Sequence, residues 1–372
     1  MKLVIFGLTV TSSWGNGHAT IWRGLLSALA QLGHDVSFYE RDVPYYSAHR
    51  DLYRSTDYSI VLYSSWDSIA AQARAELDRA DAAIVTSYCA DAIAATELLM
   101  TSRVGLRVFY DLDTPVTLDA LEKAGSVDYL PPNGLRDFDL VLSYTGGRAL
   151  AELTRTLGAR AVAPLYGSVD PAVHTRVPAV AHFAADLSYL GTYAADRQAA
   201  LEELLLAPAR ALPDKRFLIG GAQYPTDFPW APNIWFARHV SPPQHAQFYS
   251  SGALTLNITR GAMAAMGYCP SGRLFEAAAC GTPVVSDGWE GLEEFFEPGR
   301  EILIAQDRTD VIAAMSRPAS ELAAIASAAR LRTLHEHTAM HRALEMLRLL
   351  GGDVPAPRSL PARGAAIHNR RS

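Results

Sequence analysis

Short apolar runs recur along the first 165 residues, separated by stretches whose apolar positions return at helical spacing. The runs fall at 2–7 (KLVIFG), 35–40 (DVSFYE), 60–63, 82–86 (AAIVT), 106–110 (LRVFY), 139–143 and 160–165. Runs this short, bounded by turn residues, fit strands buried on both faces. Between them lie amphipathic segments such as 18–32 and 146–157, the first closed by Gly33 in the manner of a helix C-terminus. The segment 166–186 carries Pro171 and Pro178, has no regular pattern, and reads as a linker. A second series follows: strands at 187–191, 216–220, 233–237, 253–258, 282–286 and 301–305, and helices at 195–206 and 273–280. A helical region then runs over 308–350, broken at Pro318. Residues 351–372 hold three prolines, four arginines and no apolar period, and disorder is expected there. The alternation predicts the α/β class: two doubly wound, Rossmann-like domains, at 1–170 and 171–350. A ligand crevice is expected between them, at the carboxyl ends of the strands.

Composition narrows the class. Apolar residues make up 49% and charged residues 19%, which excludes an intrinsically disordered chain. Lys and Arg number 33 against 39 Asp and Glu, a net charge of −6, so no nucleic-acid partner is expected. The three cysteines, Cys89, Cys269 and Cys280, show no CxxC spacing and fit a reducing compartment. No run approaches the roughly 18 apolar residues that span a bilayer. The expectation is a cytoplasmic protein without signal peptide or integral membrane segment.

Two loops of the first half carry candidate chemistry. The first reads TSSWGNGHAT, residues 11–20. Gly15 and Gly17 supply part of a dinucleotide fingerprint, with Glu40 placed as the ribose acid, and an NAD-dependent oxidoreductase would follow from it. Against that reading, Thr20 stands where the third glycine belongs, and Gly15 falls well beyond the strand end. The alternative is a wide loop presenting Trp14, Gly15, Asn16, Gly17 and His18 to the crevice. His18, opening a helix, is then a candidate general base, unless it is a plain structural histidine. The second loop is YDLDTP, residues 110–115. Asp111 and Asp113 form a D-x-D pair of the kind that holds a divalent ion, while Asp113 also suits the cap of a helix begun by Thr114 and Pro115. Since the stronger anion signals lie in the second half, the acidic loop is expected to hold substrate hydroxyls or position a base, with no metal.

The most specific stretch is residues 257–296. A strand ends at Ile258, Arg260 follows at the crevice edge, Pro270 and Ser271 turn the chain into a helix, and Gly281 ends that helix. The helix start at Ser271 and Gly272 offers open amides to an anion. Arg260 and Arg273 would add charge-assisted bonds to a diphosphate, and Glu276 could accept two ribose hydroxyls. The plain alternative is a capped amphipathic helix that buries Leu274, Phe275 and Ala278 and leaves Glu276 solvated. Gly220 and Gly221 end another strand where a ligand would approach closely.

This stretch resembles the donor-binding region of GT-B glycosyltransferases, in particular the spore-maturation (CgeB-like) group related to glycosyltransferase family 4. The resemblance rests on Pro270-Ser271-x-Arg273-Leu274-Phe275-Glu276, then Ala277, Gly281, Pro283 and Val284, together with SSWGNGHAT, the ERD at 40–42 and DLDTP. It covers most of residues 1–350. The family 4 glutamate eight positions before Glu276 is Tyr268 here.

The resemblance implies transfer of a sugar from a UDP-, GDP- or dTDP-sugar to an acceptor hydroxyl, without metal or bound cofactor. It implies a donor set of Arg260, Ser271, Gly272, Arg273, Leu274 and Glu276, joined by Arg197, Tyr193, Gly221 and Val240, with His239 beside Val240. Trp14, His18 and the segment Asp111 to Thr114 would face a sugar, lipid or small-molecule acceptor; if the transfer inverts, His18 is the first choice of base and Asp113 the second, and if it retains, no base is required and His18 would only position substrate. A hydrolysing nucleotide-sugar epimerase shares the same plan and stands as the alternative.

Overall fold

A computed structural model of the chain describes residues 1–352; the expected disordered tail lies, from residue 353 onward, outside the described residues. The first half contains β1 (Lys2–Gly7), α1 (His18–Gln31), β2 (Asp35–Arg41), α2 (Pro44–Ser47), β3 (Ser59–Tyr63), α3 (Trp66–Leu77) and β4 (Ala82–Thr86). It continues with α4 (Ala92–Met100), β5 (Leu106–Asp111), α5 (Thr114–Ala124), β6 (Leu140–Ser143), α6 (Arg148–Leu157) and β7 (Val162–Pro164). All seven strands are parallel, in the order β3-β2-β1-β4-β5-β6-β7.

The second half begins with β8 (Leu187–Leu190) and α7 (Gln198–Leu201), which runs through one π turn into α8 (Ala207–Ala211). Then come β9 (Phe217–Gly220), β10 (Ile234–Ala237), α9 (Pro242–Ser251), β11 (Thr255–Asn257), α10 (Gly261–Met266) and α11 (Gly272–Ala279). The series ends with β12 (Val284–Ser286), β13 (Leu303–Ile304), α12 (Arg308–Met315), α13 (Ala319–Glu336) and α14 (Ala339–Leu349). These strands form a six-stranded parallel sheet, β10-β9-β8-β11-β12-β13.

Successive strand residues point to opposite faces, and both faces of each sheet are covered. In β1, Leu3 and Ile5 join one apolar cluster while Val4 and Phe6 join another. Two further clusters flank the second sheet. Each sheet reverses its winding direction once, between β1 and β4 and between β8 and β11. A crevice opens at such a reversal, outside the carboxyl ends of the strands.

The final helix departs from the expected boundary at 170. Ala339, Ala343, Met346 and Leu347 of α14 are buried in the same cluster as Trp22, Leu25 and Leu29 of α1. The chain therefore crosses back, and 339–349 completes the first domain's core rather than the second's. An isolated bridge between Val169 and Thr338 marks where the outgoing and returning strands of chain run side by side. Among the described residues no helix is long and apolar enough to cross a membrane.

Candidate active site

The carboxyl ends of the two sheets face each other across a cleft of about 530 Å³. Its first wall is the loop after β1, the start of α1, and the loops after β4 and β5; its second is the loops after β8, β9 and β11 with the start of α11.

The β1–α1 loop is tied down from beneath. Glu40 is buried, and its carboxylate accepts the Thr9 hydroxyl at 2.6 Å, the Val10 amide at 2.8 Å, and the Thr11 amide at 3.0 Å and hydroxyl. The acid that an NAD reading needs for ribose is thus spent on its own loop. Asn16 Oδ1 accepts the His18 amide at 3.1 Å, setting the first turn of α1. His18 Nε2 then lies 3.5 Å from Asp113 Oδ2, a pair partly exposed to the cleft, and its Nδ1 is buried without a partner. Gly15, Asn16, Gly17, His18 and Asp113 all line the cleft.

Four of the sequence-predicted residues do not. Asp111 is fully buried beneath the loop, where Oδ1 accepts the Asp113 amide at 3.2 Å and the Thr117 hydroxyl at 2.9 Å. Its Oδ2 has no partner, and burial pushes its pKa up to about 6. Thr114 is buried and shares a hydrogen bond with Ser143 at 2.8 Å. Leu274 faces inward from α11 into the second domain's core, on the apolar side of an amphipathic helix, so it cannot touch a donor. Trp14 stacks on His49 with ring centroids 4.0 Å apart and tilts against His239 at 4.8 Å, outside the residues that line the cleft.

On the second wall three arginines converge. Arg260 Nε donates to Asp196 at 3.1 Å. Arg273 donates to Asn257 at 2.6 Å and to the Leu190 carbonyl, and its guanidinium lies 5.2 Å from the Tyr189 ring centroid. Arg197 is the most enclosed of the three: Nη1 donates to the Thr192 carbonyl at 3.0 Å, and Nε is buried without a partner. Burial, joined by the charges of Arg273 and Arg260, draws the Arg197 pKa down. Cations held this close favour an anion between them. Ser271 makes no side-chain capping bond, which leaves the first amides of α11 to add to that field. Tyr193, Gly221 and Val240 also line this wall.

Glu276, one turn further into α11, is buried rather than solvated. Its carboxylate accepts the Thr20 hydroxyl at 3.3 Å, from across the cleft, and the Tyr249 hydroxyl at 3.4 Å. Burial raises its pKa, but His174, His245 and Arg273 outweigh burial and hold the carboxyl below its usual range. His174 Nε2 and His245 Nδ1 each stand 3.7 Å from a Glu276 oxygen and 3.3 Å from each other. Two histidines and a carboxylate meet there, from positions too far apart in the chain to form a readable motif.

Tyr268 does not line the cleft. Its amide donates to the Glu290 carbonyl at 2.7 Å, its carbonyl accepts the Gly146 amide at 2.9 Å, and its ring lies against Gly147 and Gly291. It therefore seals the seam between domains. Tyr88 is a cleft residue that sequence reasoning missed; it follows β4 with φ +61°, a strained setting for a bulky side chain.

Residues 197–348 match the family model described as "Glycosyl transferase-like". A search of curated proteins returns no match. Among solved structures, sucrose-phosphate synthase from Thermosynechococcus elongatus aligns with TM-score 0.67 at 15% identity, over 94% of this chain and 98% of that one. HepE from Anabaena, in complex with UDP-glucose, aligns with TM-score 0.64 at 12% identity, over 94% and 99%. An alpha-glucosyltransferase in complex with UDP-glucose and DNA containing an abasic site aligns with TM-score 0.68 at 13% identity, again over 94% and 99%. At such identities the likeness is one of fold.

Proposed function

We propose that this chain, whose two Rossmann-like α/β domains facing one cleft make a GT-B fold, is a glycosyltransferase of the CgeB-like kind, moving a hexose from a nucleoside-diphosphate sugar to an acceptor hydroxyl. The observation that carries this reading is the second wall: three arginines and an uncapped helix start stand beside a buried, ionised glutamate. The diphosphate sits among Arg197, Arg260, Arg273 and the first amides of α11, and Glu276 takes the ribose hydroxyls. The loops at Gly221 and Val240 receive the base. The neighbours HepE and the alpha-glucosyltransferase are described with UDP-glucose, which favours a UDP-sugar donor.

The bond from the sugar's anomeric carbon to the diphosphate breaks, and its electron pair passes to the departing phosphate oxygen. Fixed cations and amides aimed at that oxygen stabilise the charge as it develops, without a metal on the diphosphate. The acceptor oxygen forms the new bond and gives its proton to His18 Nε2, and the Asp113 carboxylate 3.5 Å from that nitrogen favours the imidazolium so formed. Acceptor and donor thus meet between the two walls.

Calorimetric titration with UDP, GDP, dTDP and NAD in chelator tests the donor assignment. A nucleoside diphosphate is expected to bind, and Glu276→Ala to weaken it roughly 10- to 100-fold, the worth of a hydrogen bond to a charged group. Binding of NAD with no nucleoside diphosphate, or an affinity untouched by Glu276→Ala, would sink the reading. His18→Ala should remove turnover and keep donor affinity; substantial residual turnover makes His18 a positioning residue instead.

A further inference from the structure

We propose that Tyr88 holds the sugar being transferred, an uncharged hexose, through a hydrogen bond donated by its hydroxyl. This rests on the donor reading and adds to it a contact from the first domain. The backbone puts the side chain there under constraint. Ser87 and Cys89 on either side are buried. The Ser87 amide donates to the Tyr110 carbonyl at 3.1 Å, its hydroxyl accepts the Leu112 amide at 2.9 Å, and the Cys89 amide donates to the Thr86 carbonyl at 3.3 Å. Between these fixed neighbours Tyr88 takes φ +61°, which glycine adopts freely and a bulky residue does not. Such a conformation persists where the surroundings over-determine it, and it collects at ligand-binding sites. Here it delivers a tyrosine side chain to the cleft wall.

The ring is braced and its surroundings are charged. It packs against Tyr129 with ring centroids 5.1 Å apart, and the Tyr129 hydroxyl shares a hydrogen bond with Thr117 at 2.9 Å. The His18 ring centroid is 6.2 Å away. Burial, then Asp113, Tyr129 and Asp111, push the Tyr88 pKa well above the usual phenol range, against the pull of Arg260 from the second wall. The hydroxyl therefore keeps its proton and is available as a donor. In the proposed reaction Arg260 serves the departing diphosphate, and His18 with Asp113 serves the acceptor oxygen. The sugar's reacting carbon must lie between those groups, and Tyr88 stands beside both. A hydroxyl-bearing sugar ring supplies the oxygen lone pair that a donor at this position needs. A carboxylate on that sugar would instead face Asp113, and like charges there disfavour a uronic acid.

The full chain and its Tyr88→Phe variant are titrated calorimetrically with UDP, UDP-glucose, UDP-galactose and UDP-glucuronic acid. Phenylalanine keeps the ring on Tyr129, and melting curves verify that the variant folds. UDP should bind both proteins equally, since only the sugar reaches Tyr88. The tighter-binding of the two UDP-hexoses should lose roughly 2- to 12-fold in the variant, the worth of one neutral hydrogen bond. In the parent, UDP-glucuronic acid should bind more weakly than that hexose. A merely structural role for Tyr88 would weaken UDP and UDP-hexose alike. That result, an unchanged UDP-hexose affinity, or a preference for the uronic acid overturns the proposal and leaves the donor reading standing. Failure of UDP and all three of its sugars to bind sinks the donor reading, and the Tyr88 assignment falls with it.

Discussion

Asp111 and Asp113 are two positions apart and end in opposite situations. Asp113 reaches the cleft and faces His18, while Asp111 is the last residue of β5 and is turned under its own loop. Burial lifts the Asp111 pKa to about 6, against the opposing pull of the Asp113 amide and the Thr117 hydroxyl. An acid whose folded pKa exceeds its unfolded value near 4 binds its proton more tightly when folded. Stability is then greatest below pH 4 and declines as pH rises through 6. A shift of about two units corresponds to roughly 3 kcal/mol. Asp111→Asn removes that titration, so the variant's unfolding free energy relative to the parent should rise by about 3 kcal/mol between pH 4 and pH 7. Urea unfolding at both pH values measures it, and a pH-independent difference would refute the assignment. The sequence shows that carboxylates and a histidine stand at strand ends, where function collects. It does not show which of two alternate residues points outward. Nor does it show His174 beside His245, because 71 residues separate them and only the folded crossing segment brings them together.

Elements were far more legible than side-chain directions. Each sheet strand falls on a mostly apolar run, since a parallel strand buried on both faces is apolar at most of its positions. α11 is readable from its turn residues and amphipathic period, and that same period assigns Leu274 to the core. What the pattern could not give is how closely the second-wall loops approach each other. Gly221 begins the loop after β9 with φ +153°, and a Cβ there would lie 2.0 Å from the Gly191 carbonyl oxygen. Backbone on both sides leaves nothing flexible to yield. Gly17, on the opposite wall, has an ordinary φ of −69° and open space around its Cβ position. Gly221→Ala is expected to cost about 1–3 kcal/mol in backbone strain and to displace the loop after β8. At roughly 2–4 °C per kcal/mol, its melting point should fall by several degrees, while Gly17→Ala stays near the parent value. Equal melting points for the two variants would mean that the loops have room the geometry denies.

At the scale of the molecule, the two domains are fastened by chain that crosses between them more than once. The outgoing segment leaves the first sheet after β7, and α14 returns to lie on α1. Sequence pattern alone assigned the whole of 308–350 to the second domain, because a helix shows its apolar face and never names the surface that face will meet. The contact is substantial: Met346 and Leu347 are fully buried among first-domain residues, whereas Ile325 of α13 is buried in the second domain. The seam is further held by Tyr144, whose hydroxyl donates to the Pro270 carbonyl at 2.8 Å, and by Gln223, which donates to the Tyr45 hydroxyl at 2.6 Å. Met346→Ala therefore opens a cavity in the first domain, although the residue lies near the other end of the chain. The cost for a buried methionine is roughly 2–5 kcal/mol. Native-state hydrogen exchange locates where that cost falls. Amides of β1 and α1 should lose protection in the variant while those of β8 and β11 keep theirs, since local opening follows the cooperative unit that was weakened. Faster exchange confined to β8 and β11 would show instead that α14 belongs energetically to the domain it follows in sequence.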